Sequence, residues 1–205
     1  EIKSQPITRL MVWEAYKSVR SNKDSSGIDK MTWQWLEKNS PTALYKLWNR
    51  LSSGSYFPQA VKEVSIPKRD GGKRKLGIPI VLDRIAQQVV RAHLEKKAEP
   101  HFHDSSFGYR PKRSCHDAVR QSCNNCFNHD FVIDLDIKSF FDTIDHDMLI
   151  KAVQHFCKDK WVLLYIRRWL KTGIVQENGE QINRLTGTPQ GGVISPLLAN
   201  IFMHV

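Results

Sequence analysis

The fold expected of this chain depends mainly on residues 131–142, which read Phe-Val-Ile-Asp-Leu-Asp-Ile-Lys-Ser-Phe-Phe-Asp. Side chains alternate between the two faces of a strand. One face is apolar and consists of Phe131, Ile133, Leu135 and Ile137. The other face carries Val132, Asp134 and Asp136. Carboxylates on a rigid strand are good magnesium ligands, although an aspartate near a lysine is also typical of a surface ion pair. The stretch therefore predicts a strand with a candidate metal ligand at Asp136.

Helices are predicted on both sides of this strand from apolar residues spaced three and four apart. They cover about Pro6 to Arg20, a segment ending at Ser53-Gly54, a segment from Asp83, one capped by Ser114, one capped by Asp145, Trp161 to Leu170, and one opened by Ser195-Pro196 in which the chain ends. The residues expected to face inward are Ile7, Leu10, Met11, Ala15, Leu44, Leu47, Trp48, Leu51, Ile85, Val89, Ala92, Met148, Leu149, Ala152, Val153 and Phe156.

Two hairpins are also predicted. The first has alternating apolar residues in both strands and turns at Asp70-Gly71-Gly72, and the second turns at Asn178-Gly179. Helices combined with hairpins place the chain in the α+β class. Its 205 residues allow one ordinary domain or two small subdomains.

The charge balance points to a polyanionic partner. The chain contains 31 Lys and Arg against 21 Asp and Glu, a net charge of +10, and its pI is about 9.5. Nucleic acid is the partner that such a balance favours. No apolar run approaches the ~18 residues of a membrane span and no signal peptide opens the sequence. We therefore expect a soluble protein with no membrane partner, cytoplasmic in location, or organellar in a eukaryote.

Several of the basic residues lie on or beside the first hairpin. They are Lys68, Arg69, Lys73, Arg74 and Lys75. Paired strands can present such cations to phosphate groups. A solvated basic turn that keeps a sheet edge from aggregating is the other interpretation.

The four cysteines include one Cys-x-x-Cys pair, Cys123 and Cys126, with His116 and His129 nearby. A metal site would need further ligands in a regular spacing, and the sequence does not provide them. Cys115, Cys123 and Cys126 instead fall on one stripe of a predicted helix, which is typical of small buried side chains. We expect this stripe to be part of the core.

Short motifs follow one another along nearly the whole chain. They are Gly27-Ile28-Asp29; Ile66-Pro67-Lys68; Arg74-Lys75-Leu76-Gly77-Ile78-Pro79 with Asp83-Arg84 and Gln87; Phe107-Gly108-Tyr109-Arg110-Pro111 with Ser114 and His116; Asp136-Ile137-Lys138-Ser139-Phe140-Phe141-Asp142 with Ile144-Asp145-His146; and Thr188-Pro189-Gln190-Gly191-Gly192 with Ser195-Pro196 and Asn200. In this order and spacing they resemble the blocks of group II intron reverse transcriptases. Each block alone is a weak match.

The resemblance implies a right-hand polymerase arrangement that is truncated. Residues 1–125 would form the fingers with an N-terminal helical extension, and residues 126–205 would form the first part of an antiparallel palm sheet. In this family the strand aspartate, here Asp136, and the backbone carbonyl of the next residue, here Ile137, bind magnesium. The implied reaction is two-metal nucleotidyl transfer by an RNA-directed DNA polymerase, with two Mg²⁺ ions or Mn²⁺ in their place.

The resemblance also assigns binding roles. Lys68 and Arg74 would bind the triphosphate of a dNTP, Phe141 would lie against the sugar and exclude a 2′-hydroxyl, and Gln190 would face the minor-groove side of the nascent pair. The residues implied in RNA binding are Arg69, Lys73, Lys75, Arg110, Lys112 and Arg113. The expected partners are an RNA template with its primer, a dNTP, and a group II intron RNA that would be bound in a maturase role. Self-association is expected through an unpaired sheet edge.

Two departures from the family pattern matter. Lys75 stands where the family usually has proline, which adds charge to the hairpin. The Tyr-x-Asp-Asp hairpin that carries the other metal-binding aspartates lies beyond the matched region, and Asp-Asp occurs nowhere in this sequence. We therefore expect the chain by itself to be inactive as a polymerase.

Two alternatives stay open. One is a fingers module that binds RNA without chemistry of its own. The other is a retron or diversity-generating reverse transcriptase, which shares the strand aspartate. The Gly27-Ile28-Asp29 block and the run from Arg74 to Pro79 favour the intron type.

Overall fold

The computed structural model describes residues 5–21, 25–67 and 71–205, and it confirms the α+β class. The helices are α1 (Arg9–Arg20), α2 (Trp33–Ser53), α3 (Val81–Ala98), α4 (Cys115–Asn128), α5 (Phe140–Thr143), α6 (His146–Phe156), α7 (Lys160–Leu170) and α8 (Ser195–Met203). The strands are β1 (Val61–Pro67), β2 (Lys73–Ile78), β3 (Ile174–Val175) and β4 (Gln181–Ile182). None of the helices in these ranges is long and apolar enough to cross a membrane.

The helix ends follow the capping residues in the sequence. The Ser114 hydroxyl accepts a hydrogen bond from the Asp117 amide at the start of α4, and Asp145 Oδ1 accepts one from the Met148 amide at the start of α6, at 2.8 Å. These caps satisfy amides that have no partner inside the helix. Gly54 ends α2 in the left-handed conformation, with φ of 77°. The predicted caps and the predicted end of α2 are confirmed.

Both predicted hairpins form, and they join into one four-stranded sheet with the order β2-β1-β3-β4. β1 and β2 pair antiparallel from Lys62 opposite Ile78 to Pro67 opposite Lys73. β3 pairs with β4 antiparallel and with β1 in parallel, through Val61 opposite Ile174. The parallel β1–β3 contact ties the front of the chain to a segment more than a hundred residues later.

The core lies around α3, which contacts α1, α2, α6, α7 and α8. Its buried apolar residues are Val81, Ile85, Ala86, Val89, Val90, Leu94 and Ala98. Each large apolar side chain buried there contributes roughly 1.5–3 kcal/mol relative to exposure. Because helices surround α3 on several sides, its sequence is apolar over more than one stripe.

Two residues predicted to face inward are exposed: Leu10 by 65% and Met148 by 58%. In α1 the buried residues are Val12, Tyr16 and Val19 beside the predicted Ala15. In α6 the predicted Leu149, Ala152 and Val153 are buried, and Ile150 is buried where Met148 was expected. The side of a helix that is buried is the one that a neighbouring helix covers. The chain also does not end inside α8, since that helix stops at Met203.

The predicted strand over residues 131–137 does not form. This segment has no regular secondary structure and is unpaired, and Phe131, Ile133 and Leu135 are each more than 80% exposed. A strand is stabilised by hydrogen bonds to neighbouring strands, and no strand within residues 5–21, 25–67 and 71–205 lies beside it. The antiparallel palm sheet expected around Asp136 is therefore not part of the described structure.

The expectation that the cysteine stripe is buried is also wrong. Cys115, Cys123 and Cys126 are exposed, and α4 contains no buried residue. Cys157, at the end of α6, is the buried one. An apolar stripe on a helix is buried only where another element covers it, and the core around α3 is already closed by other helices.

A buried carboxyl group lies at the start of α3. Asp83 is 1% exposed and accepts hydrogen bonds from the Tyr56 hydroxyl and from the Gln59 amide, the latter at 3.1 Å. Burial raises the pKa of Asp83 from about 3.8 to about 6, even though the two donors favour the ionised form. The group therefore binds its proton more tightly in the folded state than in the unfolded state.

We predict that Asp83 makes stability depend on pH. A raised folded-state pKa contributes stability that is complete below the unfolded pKa of 3.8 and is lost as the pH rises through about 6. Relative to an Asp83→Asn variant, the free energy of unfolding should fall by up to about 3 kcal/mol between about pH 4 and about pH 7. Urea unfolding of both proteins at a series of pH values measures this difference.

Tyr56→Phe provides the matched control. Losing the hydroxyl donor removes a bond that favours the carboxylate, so the pKa of Asp83 should rise further and the loss of stability should extend to higher pH. The opposite contribution of Asp159, whose pKa is held low by Lys97 and His93, is present in all three proteins and cancels. Parallel pH profiles for the original chain and Asp83→Asn would contradict the prediction.

Candidate functional site

One open cleft of about 690 Å³ collects residues from distant parts of the chain. Its walls come from β2, from the segment 136–142, from the loop at residue 190 and from the end of α8. Seven of the predicted site residues line it: Lys73, Arg74, Lys75, Asp136, Ile137, Phe141 and Gln190. Four further lining residues were not assigned a role from the sequence: Ser139, Phe140, Asp142 and Met203.

The loop that carries Gln190 packs against β2. The Gly77 amide donates a hydrogen bond to the Gln190 carbonyl at 2.7 Å. Gly191 has a φ of 116°, and a Cβ atom there would lie 2.6 Å from the Gly77 carbonyl oxygen. A Cβ atom on Gly77 would lie 2.8 Å from a methyl group of Val61. Gly191 is therefore required for the close contact of the two backbones, and Gly77 is required for the packing of Val61. The contact of the two backbones places the Gln190 side chain in the cleft.

The same loop also holds the turn around Phe141. The Thr188 amide donates to the Phe141 carbonyl, and the Gly187 amide donates to the Ile144 carbonyl, both at 2.7 Å. A ring nitrogen of His146 lies 2.7 Å from the Gly187 carbonyl oxygen. Phe141 is thus fixed by its backbone, and its half-buried ring borders the cleft.

Side chains inside the cleft are linked to each other. Arg74 Nε donates to Gln190 Oε1 at 2.9 Å, and Gln190 Nε2 donates to Asp142 Oδ2 at 3.3 Å. The Gln190 amide therefore connects a cation on β2 to an anion on α5. Behind them, burial lowers the pKa of Arg184, and the charges of Asp142 and Glu63 oppose this shift.

Asp136 lies at the edge of the cleft with its carboxylate exposed. None of the cations in the described ranges forms an ion pair with it, so the surface ion pair considered from the sequence is not observed. Ile137, the next residue, is 51% exposed. A carboxylate followed by a backbone carbonyl group provides the kind of oxygen ligands that Mg²⁺ prefers.

The basic residues of the hairpin differ in their surroundings. Lys73, Arg74 and Lys75 are exposed, and Lys75 Nζ forms an ion pair with Glu63 Oε1 at 3.1 Å. Lys68 and Arg69 lie outside the described residues. The observed cations form a positive rim on one side of the cleft, facing the carboxylates of Asp136 and Asp142.

The three predicted RNA-binding residues near residue 110 do not share one environment. Arg110 is buried: its guanidinium binds Glu99 at 2.9 Å and the carbonyl groups of His103 and Ser106. It stabilises the loop and is not presented to a ligand. Lys112 is exposed, and Arg113 is half-buried with its guanidinium on the Asp104 carbonyl.

Asp142 is the cleft residue that the sequence analysis should have singled out. It follows Asp136 by six residues, and a signal for it was present in the motif that ends at residue 142. Met203 had no such signal, because only the folding of α8 brings it to the cleft.

Comparisons with known proteins place the chain in a family. A family model described as reverse transcriptase (RNA-dependent DNA polymerase) matches residues 66–205. The chain is 39% identical over 193 residues to the group II intron-encoded protein LtrA of Lactococcus lactis subsp. cremoris, which covers 93% of this chain and 32% of LtrA. It therefore spans about a third of the length of LtrA.

Two further relatives extend the comparison. Protein YkfC of Escherichia coli strain K12 is 36% identical over 216 residues, covering 99% of this chain and 56% of YkfC. A third relative, "Nuclear intron maturase 4, mitochondrial" of Arabidopsis thaliana, is 26% identical over 190 residues, covering 93% of this chain and 23% of the maturase. Intron-encoded proteins match nearly all of its residues. Since the family model covers well over half of them, this chain belongs to the reverse transcriptase family.

Proposed function

We propose that this chain forms the fingers and part of the palm of an RNA-directed DNA polymerase, and that its cleft binds the incoming dNTP. The observation that carries the proposal is the convergence of Arg74, Asp136, Phe141 and Gln190 in one cleft. These residues are up to 116 positions apart. We assign residues 1–125 to the fingers with a helical extension and residues 126–205 to the palm.

Asp136 and the Ile137 carbonyl are the proposed ligands for the catalytic metal, Mg²⁺ or Mn²⁺. When bound, such ions lower the pKa of a primer 3′-hydroxyl and neutralise the leaving pyrophosphate. The protein supplies position and charge in this reaction and forms no covalent bond with the substrate. A complete site would need carboxylates in addition to Asp136, which a longer polypeptide would provide.

Arg74 is the proposed ligand of the dNTP triphosphate, together with Lys68. Its Nε is bound to Gln190, which fixes the plane of the guanidinium and leaves the two Nη groups directed away from that bond. A planar fork of donors binds phosphate oxygens in pairs. Holding the fork in place before the ligand arrives lowers the cost of ordering it on binding.

Phe141 and Gln190 are proposed to recognise the sugar and the base pair. The Phe141 ring is held at the cleft by the backbone bonds of the 187–188 loop, so it can exclude a 2′-hydroxyl without moving. The Gln190 amide is both donor and acceptor, which suits contact with a minor-groove edge.

The surface around the cleft is the proposed binding region for RNA. Lys73, Lys75, Lys112 and Arg113 would contact phosphates of a template duplex, as would Arg69, and we leave Arg110 out because its guanidinium is used inside the protein. A group II intron RNA is the proposed second partner, since relatives include intron-encoded proteins and a maturase. Self-association through the exposed segment 131–137 and a cytoplasmic or organellar location remain proposals as well.

The first prediction from this proposed function concerns the choice between deoxyribose and ribose. In a full-length polymerase that contains this chain, Phe141→Ala should lower discrimination between dNTP and NTP by roughly 10- to 100-fold, because a bulky group against the sugar is lost. Primer extension with each nucleotide type measures the ratio of kcat/KM values. Phe127→Ala, at an exposed phenylalanine of α4 outside the cleft, is the control. Unchanged discrimination would mean that Phe141 only packs.

The second prediction concerns the triphosphate. Arg74→Ala should raise the KM for dNTP roughly tenfold or more, since charge-assisted hydrogen bonds to phosphate are lost. Gln190→Ala should give a smaller increase, because it removes the hydrogen bond that orders the guanidinium and the proposed contact with the base pair but leaves the charge of Arg74 in place. Lys62→Ala, an exposed lysine of the same sheet outside the cleft, should have no effect. If Arg74→Ala weakened RNA binding and left the dNTP KM unchanged, Arg74 would belong to the template site.

The third prediction concerns the 205-residue chain itself. It should bind RNA and should not extend a primer, because Asp136 offers too few oxygen ligands to hold two metal ions. Filter binding should show log affinity falling with log salt by about 0.7 per phosphate contacted, and Lys73→Ala should reduce that slope by about 0.7. Lys38→Ala, exposed on α2, should not change it. Extension that is lost in Asp136→Ala, or salt-independent binding, would contradict these expectations.

A further inference from the structure

A second group of polar side chains lies away from the cleft, where α3 meets the junction of α6 and α7. His93 and Lys97 are one turn apart on α3, Cys157 ends α6, and Asp159 precedes α7. Asp159 Oδ2 is 2.7 Å from His93 Nε2, 2.7 Å from Lys97 Nζ and 3.3 Å from Cys157 Sγ. The carboxylate of Asp159 is therefore the centre of the cluster.

Asp159 is placed to cap a helix but does not do so. It occupies the N-cap position of α7, and its side chain makes no capping hydrogen bond. Asp145, the same residue type at the same position of α6, accepts a hydrogen bond from the Met148 amide. A missing N-cap bond leaves a helix amide without that partner and destabilises the helix. The Asp159 carboxylate is instead turned toward the His93 ring and the Cys157 thiol.

We propose that His93, Cys157 and Asp159 form a binding site for a zinc ion. Their ligand atoms, a ring nitrogen, a thiol sulfur and a carboxylate oxygen, all lie within 4.8 Å of one another. Ligand atoms around tetrahedral zinc are about 3.3–3.7 Å apart, given bonds of about 2.0–2.3 Å. The three atoms need only small shifts to reach that spacing. Thiolate and imidazole select zinc over magnesium, so this site is chemically different from the one at Asp136.

The surroundings of the three ligands suit a metal with one open position. Cys157 is 1% exposed, and the Trp161 ring lies 4.9 Å from the His93 ring. These groups form an apolar inner wall. The His93 and Asp159 side chains are 31% and 35% exposed, so zinc can approach from solvent and keep a water molecule as its fourth ligand.

Lys97 is the competing cation in this site. Its ammonium group balances the Asp159 charge in the structure, and its side chain is 40% exposed. On zinc binding the ammonium group can move into solvent, because the Lys97 side chain already lies partly at the surface. Lys97 therefore weakens metal binding if the cluster is a zinc site. If the cluster is only an ion-pair network, Lys97 stabilises the folded chain.

The bound ion would fasten α3 to the α6–α7 junction. His93 comes from the first of these segments, and Cys157 and Asp159 come from the second. A ligand that binds only the folded chain raises its stability in proportion to the logarithm of ligand concentration over Kd. Zinc would therefore act as a structural cross-link in the core around α3.

The exposed thiols of α4 must be removed before the site is tested. Cys115, Cys123 and Cys126 could bind metal ions adventitiously. The experiment therefore starts from an untagged 205-residue chain in which these three residues are replaced by serine. Circular dichroism shows whether each protein used is folded.

The test is titration with Co²⁺, which replaces zinc and gives a thiolate-to-metal absorption band, followed by displacement with Zn²⁺. We expect one equivalent of Co²⁺ with that band, a higher melting temperature with Zn²⁺, and at least about tenfold weaker zinc binding in Cys157→Ser and in His93→Gln. Lys97→Gln should bind zinc roughly fivefold more tightly, since it removes the competing ion pair.

Two results would overturn the proposal. One is the absence of a thiolate band in the folded three-serine protein. The other is a band that persists in His93→Gln and is unaffected by Lys97→Gln, which would show that Cys157 alone binds the metal. Should Cys157→Ser fail to fold, His93→Gln and Asp159→Asn decide the matter, because both side chains are partly exposed.

Discussion

The candidate site depends on the close approach of two backbone segments. One is at Gly77 in β2, and the other is at Gln190–Gly191 in the loop before α8. Neither glycine position has room for a Cβ atom. The hydrogen bond from the Gly77 amide to the Gln190 carbonyl then fixes the distance between the two segments. A larger residue at position 191 would push the loop outward and separate Arg74 from Gln190, whereas one at position 77 would first displace Val61 of β1.

The same loop has a second function in the architecture. Its amides at Gly187 and Thr188 bind carbonyl groups in the 141–144 turn, so one short segment positions Phe141 on one side and Arg74 on the other. The Thr188 and Ser195 hydroxyl groups are 2.8 Å apart and connect the loop to the start of α8. Backbone contacts of a single loop therefore hold the segments of the cleft together. The side chains of the cleft are brought close by these backbone contacts.

The sequence predicted what depends on local signals. Caps such as Ser114 and Asp145, the end of α2 at Gly54 and both hairpins are determined by residues close together in the chain. Resemblance to a family placed the residues of the cleft in one site, although their mutual contacts, such as Arg74 with Gln190, could not be read from it. The predictions of burial failed where burial depends on an element distant in the chain. The alternating apolar residues of the segment 131–137 and the cysteines of α4 are exposed, because no described element covers them.

α3 shows why polar residues in a buried helix are informative. Its N-terminal turn contains Asp83, buried beside Tyr56, and its last two turns contain His93 and Lys97, which contact Asp159. Between them the helix carries the buried apolar residues Ile85, Ala86, Val89 and Val90 together with the buried polar residues Arg84 and Gln87, and it packs against five other helices. Burying a titratable group is costly unless it has partners, and apolar side chains of similar size would pack at these positions without that cost. The polar groups at the two ends of α3 therefore point to properties other than stability alone, namely a response to pH at one end and to a metal ion at the other.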